Sequence, residues 1–443
     1  MTNADVTDGS AAQIAPSRAL ARQSRQRWLW VVLIVVAMAL PWLFYGWQTH
    51  RHSGFLLTML SQMGMMIIFS LSYNMLMGQA GLLSFGHAVF FGLAGYSTIH
   101  FLDAAGAGRL PVPMELMPVL SGLAGLAFGI LFGYMATRQR GTAFAMITLG
   151  IGELVATAAI MFHHFFGGEG GVSSNRMIEQ SLFGVSYASS VQVYYLIVAW
   201  TVIAALGMLF LTKTPLGAMA NATRDNFERA QFMGYDPRRV RFLQFALSGM
   251  FAGIAGGLYA ITYEIVTFDA ASGALSANVV LMTYIGGATI FYGPILGATL
   301  ITLLQSGLSM LSNAWLIYVG VLFIGMVTFA PGGFAGMIEA HGPIARAGRL
   351  GRLMVPYMRM SVPVLAVLLG FIGIVELTSF RTIGEAQGKH LVLLGREIDV
   401  HSLLPWLVAV GLLVVGGFWL RFEIRAFGRV WDNLTAELKR RSL

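Results

Sequence analysis

Few side chains in this sequence could do chemistry, because only 11% of its 443 residues are charged and none is cysteine. The missing thiols exclude disulfides, thiolate metal sites and cysteine nucleophiles. Ser84 and His87, three residues apart, have the types of a nucleophile and its base, as in an intramembrane hydrolase. No Gly-x-Ser-Gly pattern accompanies them, and a polar pair that lines a pathway or ties two helices together is the simpler reading. His163 and His164 are adjacent, so on a helix they point about 100° apart and cannot share a metal as an i,i+4 pair does. They are expected at the outer membrane interface, and no metal or cofactor site is expected anywhere. Glu153 falls in the middle of an apolar run, where a carboxylate is a functional candidate by default. A buried structural acid bonded to backbone or hydroxyl groups is the competing reading, and the sequence leaves both open. The run GGEGG at 167–171 lacks the lysine and following helix of a phosphate loop and reads as a flexible outer loop. No Walker sequence occurs in the chain, so any ATP-driven step belongs to another subunit.

The elements that carry these residues are membrane spans. Hydrophobic residues make up 56% of the chain and the mean hydropathy is +0.71, too apolar for a soluble domain of this length. A span takes about 20 apolar residues. Such runs recur at Trp28–Trp47, Phe55–Met77, Ala88–Leu102, Leu116–Thr137, Thr142–Phe166, Val191–Leu211 and Phe242–Ile265. Three crossings follow at 277–291, 294–311 and 313–330, then Ser361–Phe380 and Leu403–Phe422. Closed sheets are not indicated; the pattern is an all-α polytopic bundle of about twelve crossings, about ten in a main body plus two C-terminal extras. Trp28–Trp47 is too long for a signal-peptide core and lacks a small-residue cleavage site, so it is expected to be retained. The net charge of +8 does not point to nucleic acid, because the arginines sit in short loops beside apolar runs. That pattern places both termini in the cytoplasm. The expected organisation is a cytoplasmic tail at 1–27, a main membrane domain at 28–336, a basic cytoplasmic linker at 337–359, two additional spans within 360–422 and a basic tail at 423–443.

Two interruptions break the apolar background. NMLMGQAGLLSFGH at 74–87 and TYIGGATIFYGPILG at 283–297 put glycines, amides and hydroxyls where a span should continue. Irregular backbone at membrane depth survives where protein buries it or where it lines a cavity, and paired breaks point to two related halves with a transport path between them. Asn74, Gln79, Ser84, His87, Glu153, Thr283 and Thr289 are the residues expected along that path. For either break alone, glycines that merely allow tight helix packing explain the pattern equally well.

The wettest stretch is Lys213–Arg241, with six basic and three acidic residues. Thr214 followed by Pro215 reads as an N-cap with proline at the first helical position. The helix that follows puts Met219, Ala222, Thr223, Asn226, Ala230 and Met233 on one face and Arg224, Asp225, Glu228 and Arg229 on the other. Arg224 with Glu228 and Asp225 with Arg229 are spaced i,i+4, Gly234 can close the helix, and Asp236-Pro237 starts the next. A solvated loop between spans explains the composition; a short two-faced helix is also a shape that a partner protein can grip.

Three segments in order resemble a known family: LMGQAGLLSFGHAVFFGLAGY (76–96), TPLGAMANATRDNFERAQFMGYDPRRVRFLQFALSGMFAGIAGGLYA (214–260) and IGGATIFYGPILGA (285–298). They are similar to the longer of the two permease subunits of ABC importers of the branched-chain amino acid and urea family, over about residues 30–336. The resemblance implies a second homologous permease, two ABC ATPase subunits, a periplasmic solute-binding protein and a bacterial inner-membrane location. It also implies that residues 213–241 hold the coupling segment that docks on the ATPase, with Thr214, Pro215, Gly217, Arg224, Asp225, Glu228, Ala230 and Gly234 as its residues. The outer loop GGEGGVSSNR departs from the family's usual glycine-rich pattern there, and 337–443 runs past the usual family end. The expected function is therefore that of a non-enzymatic permease subunit for a small branched-chain type amino acid or a related amide or carboxylate. A stand-alone secondary transporter is the alternative, with Glu153 and Glu376 as its intramembrane acids.

Overall fold

The computed structural model describes residues 35, 38–42, 45–46, 51–52, 54–178, 180–384, 391–393, 396–398 and 400–442. Among them are nine helices long and apolar enough to cross a membrane, or ten if Trp315–Phe329 and Gly333–Arg346, bent by 45°, form one span. The chain is an all-α polytopic membrane protein. Of the twelve expected crossings, Trp28–Trp47 lies largely outside the described residues, and 277–291 corresponds to a shorter helix, Gly273–Gly286. The others have counterparts.

The chain forms two compact units, one of residues up to Met75 plus Leu82–Ser276, the other of Leu76–Gly81 plus Ala277–Leu443. In the first unit the helices are α1 (Gly54–Asn74), α2 (Ala88–Gly106), α3 (Met117–Ala136), α4 (Gly141–Met161) and α5 (Ser190–Thr212). Then come α6 (Pro215–Asp225), α7 (Phe227–Phe232) and α8 (Pro237–Tyr263). Its most extensive seam is α3 on α8. A Cβ on Gly125 would stand 2.3 Å from the Gly249 carbonyl oxygen, and one on Gly253 2.6 Å from that of Ser121. Without an apolar solvent contrast between helices, such backbone contact and polar glue hold membrane helices together. The glue beside this seam is the buried Thr98–Ser121 hydroxyl pair, 2.6 Å apart, which ties α2 to α3.

At the end of this unit away from the polar island, the loop after α4 is folded, contrary to the flexible reading of 167–171. Gly167, Gly168 and Gly171 all have φ near +70°, a turn that only glycine adopts without strain. It feeds a short antiparallel pair in which Val172 faces Val266 and Ser173 faces Ile265. Arg176 locks the pair by donating to the carbonyls of Tyr187, Ala188 and Thr262. Tyr187, whose phenol burial and then the Glu115 carboxylate push up to about 12, stays protonated in this knot.

The second unit contains the end of α9 (Gly273–Gly286), then α10 (Gly293–Leu311), α11 (Trp315–Phe329), α12 (Gly333–Arg346), α13 (Gly351–Ser379) and α14 (Leu403–Ser442). Residues 337–359 and 423–442, expected as linker and tail, are largely helical. The 40-residue α14 is about 60 Å long, twice the hydrocarbon thickness. Its far half packs Leu434 against Ile344 and Leu353, and its Glu437 pairs with Arg349 and Arg352. Glu376 accepts a 2.6 Å hydrogen bond from the Tyr318 hydroxyl, which gives this acid a structural partner.

Candidate functional site

The first interruption is a rebuilt helix end followed by a clamped loop. After Asn74 the backbone widens into a π-helical turn, Met75–Gln79, and the chain then runs irregularly to His87. Such π segments are rare and recur at functional sites. Two elements hold the loop. The Phe85 amide donates to Thr148 Oγ1 of α4 at 3.2 Å, and the Ala88 amide donates to Ser276 Oγ at 3.0 Å. Gly86 lies against α4 so closely that a Cβ there would meet the Thr148 carbonyl oxygen at 2.0 Å.

His87 is fully buried among Phe69, Tyr73 and Phe90. Its Nε2 lies 2.9 Å from Ser72 Oγ. The Ser72 hydroxyl proton goes to the Phe69 carbonyl at 2.7 Å, so Ser72 accepts from His87 Nε2–H. That assignment leaves His87 Nδ1 as a buried acceptor without a partner among the described residues, and Ser84 Oγ and Asn74 Oδ1 of the same break are likewise buried without one. The serine proton thus points away from the imidazole, the reverse of what nucleophile activation requires. Ser84, the serine that the hydrolase reading needed, makes no bond to His87.

Glu153 is not the buried structural acid of the competing reading. It is exposed on α4, about 12 Å from the nearer helix end, and makes no hydrogen bond or ion pair with any described residue. Its neighbours belong to the site: Gly152 packs on Gly86, and Glu153 Oε1 lies 3.0 Å from where a Cβ on Gly273, the first residue of α9, would stand.

The second interruption, in the other unit, is of a different kind. A Cβ on Gly297 would come within 1.8 Å of the Met282 carbonyl oxygen, and one on Gly293 within 2.0 Å of that of Gly287. Gly287, at φ +109°, lies in turn against Gly332 and Gly333 at the α11–α12 bend. Thr283 is buried and bonds the Val279 carbonyl of its own helix, whereas Thr289 is exposed in the turn. Gln79 is buried in the π turn.

The island forms an elbow and not the single helix that its periodicity predicts. Asn226, at φ −154° and ψ 103°, ends α6 and caps α7, its Oδ1 accepting from the Arg229 amide at 2.9 Å. The i,i+4 register of Arg224 with Glu228 and Asp225 with Arg229 is lost at that break, and Arg224 instead meets Asp225 at 3.0 Å. Thr214 occupies the N-cap position, but its hydroxyl donates back to Leu211 at 2.7 Å. The cap at Asp236 forms as expected, by accepting from the Arg238 amide. Gly217 lies against the end of α5, Ala230 is buried, and Gly234 closes α7 at φ +82°. Two arginines hold the elbow: Arg140 stacks 3.6 Å over the Phe227 ring, and the buried Arg241 approaches the same ring while bonding the Gln139 and Pro237 carbonyls. At the tip, Phe232 is 90% exposed, with Met233 and Tyr235 also exposed.

Residues 55–330, which hold both interruptions and the elbow, match the family described as branched-chain amino acid transport system / permease component. The chain belongs to that permease family. It is 27% identical over 334 residues to the high-affinity branched-chain amino acid transport system permease protein LivM of Salmonella typhimurium, covering 71% of this chain and 76% of the relative. The Escherichia coli K12 protein of the same name is 26% identical over the same shares. A shorter match, 34% over 25% of this chain and 35% of the relative, is to a probable ABC transporter permease protein, YphD, of Escherichia coli. No solved structure matches the chain.

Several residues that shape this permease carried no signal of their own in the sequence. Ser72, Thr148 and Ser276 are isolated hydroxyls on apolar helices, distant in sequence from the loop they hold. Asn226 was legible as a cap residue, yet the apolar periodicity continued past it. Among the described residues no three His, Cys, Asp or Glu side chains gather as a metal site. His163 and His164 are exposed beyond the end of α4.

Proposed function

We propose that this permease is the membrane subunit of an ATP-driven importer of a branched-chain amino acid or a related small amide or carboxylate. It would work in the bacterial inner membrane with both termini cytoplasmic. Its partners are a second homologous permease, two ABC ATPase subunits and a periplasmic solute-binding protein. The two relatives named for branched-chain amino acid transport, matched across most of their length, support the substrate class.

The observation that carries the coupling role is the elbow. Its apolar tip at Phe232, Met233 and Tyr235 projects from a segment that Arg140 and Arg241 fix through Phe227 to the ends of α4 and α8. An exposed aromatic tip on a clamped base suits insertion into a partner's groove, where a buried aromatic anchor carries much of the binding energy. Movement of the ATPase would reach α4 and α8 through that clamp. Asn74, Ser84, His87 and Glu153 would lie along the substrate path in the first unit, the unpartnered polar atoms there serving a passing polar molecule. In the purified complex, Phe232→Asp is expected to keep the permease pair assembled and to lower binding-protein-stimulated ATP hydrolysis by about tenfold, the loss of one anchor. Stimulation at the wild-type level removes the coupling role.

A further inference from the structure

Helix α4 shows two different faces. Ala145, Thr148, Gly152, Val155 and Ala159 are buried, the face that meets the clamped loop at Gly86. The opposite stripe, Thr142, Met146, Gly150, Glu153 and Thr157, is exposed along the whole span, with the exposed apolar Leu149, Leu154 and Met161 on either side of it. A lipid-facing stripe should be apolar, and an ionisable group at mid-span faces a bundle interior or a water-filled cavity. Glu153 makes no hydrogen bond or ion pair with a described residue, so no described cationic side chain pairs with it. It also stands one residue from Gly152, on the loop whose Ser84 and His87 carry unpartnered buried polar atoms.

We propose that this stripe is a water-accessible wall of the transport path and that Glu153 supplies its negative charge, the counter-charge for an ammonium group on the transported molecule. The inference rests on the import reading and narrows it. A substrate bearing an ammonium group, as every free α-amino acid does, would be drawn to the middle of α4, whereas an uncharged amide or a simple carboxylate would gain nothing there. A carboxylate placed along a low-dielectric cleft raises the local concentration of cations and lowers that of anions.

The natural absence of cysteine allows a direct test. Single cysteines are placed at Gly150, where an added side chain meets open space, and at Thr157, in the complete transporter in membrane vesicles. They are treated with a cationic and an anionic methanethiosulfonate of similar size, and labelling is read on this chain. These reagents attack thiolates, which form in water and not in hydrocarbon. The expected result is reaction at both positions, faster for the cationic reagent by about tenfold. Glu153→Gln should bring the two rates together, and Glu153→Asp should keep them apart. Thiols inert to both reagents would show a lipid-covered or dry stripe and overturn the proposal. Equal rates with Glu153 in place would also overturn it, because a partner's cation would then already neutralise the carboxylate. Labelling depends neither on ATP hydrolysis nor on uptake, so its failure is distinct from a failure of the import reading.

Discussion

The two interruptions look alike as sequence and are built from opposite materials. The break at 74–87 is held mainly by side chains, the hydroxyls of Thr148 and Ser276 and the Ser72–His87 pair, with one glycine contact at Gly86, and it leaves polar atoms buried without partners among the described residues. The break at 283–297 is held by backbone, with Gly286, Gly287, Gly293 and Gly297 pressed against carbonyls and against Gly332 and Gly333. A polar break with unsatisfied atoms costs stability and keeps hydrogen-bonding capacity for something that passes. A glycine knot spends its irregularity on close packing and keeps little capacity for a ligand. On the proposed reading, the difference separates a site from a joint.

The largest expected effect falls on the joint. Gly297→Val puts branched carbons where even a Cβ would stand 1.8 Å from a carbonyl oxygen, and the neighbour is backbone that cannot swing aside. Overpacking a tight contact typically costs about 1–3 kcal/mol, and this one belongs at or above the top of that range. Detergent-solubilised protein should lose its monodisperse gel-filtration peak. A variant as well folded as the wild type would break the comparison, because the knot would then not be close-packed.

Next comes the buried pair at the site. Ser72→Ala leaves the His87 Nε2–H without an acceptor inside a ring of aromatic side chains, at a cost of about 1–3 kcal/mol. The measurement is thermal unfolding in detergent, and a midpoint equal to the wild type would show that His87 has another partner. Below it stands Thr148→Val, which keeps the volume and removes the acceptor of the Phe85 amide. One partly buried hydrogen bond gives about 1 kcal/mol. The loop should loosen locally, seen as faster amide exchange at Phe85 and Gly86 with little change at Gly293 and Gly297.

What the sequence made legible follows from the range of each signal. Spans, caps and breaks are local, so the apolar runs, the Asp236 cap and both interruptions could be read directly. Contacts between distant segments could not. Gly332 and Gly333 close the knot from beyond α11, and nothing in GGATIFYGP names them. Ser72 and Thr148 are single hydroxyls whose partners lie 15 and 63 residues away. The elbow failed for another reason: apolar spacing alone carried α6 across Asn226, although that residue caps its own next turn whenever the backbone leaves the helical region. Glu153 was legible as an anomaly, but its exposed face depends on which side of α4 the loop at Gly86 covers.

The smallest expected effect on stability is also the most informative. Ser84 is fully buried and its hydroxyl has no partner among the described residues, so Ser84→Ala removes an unsatisfied group together with its desolvation cost. Replacing a buried polar atom that bonds nothing is neutral to stabilising, a change within about 0.5 kcal/mol or a small gain. If the first interruption is a site, the same substitution lowers leucine uptake by the complete transporter while unfolding stays put. If it is a second joint, uptake per folded transporter stays at the wild-type level. Measuring uptake per folded transporter, with thermal unfolding on the same preparation, separates the two. A fall in uptake at unchanged stability is the outcome expected of a group whose bonding partner is absent from the resting fold and present during transport.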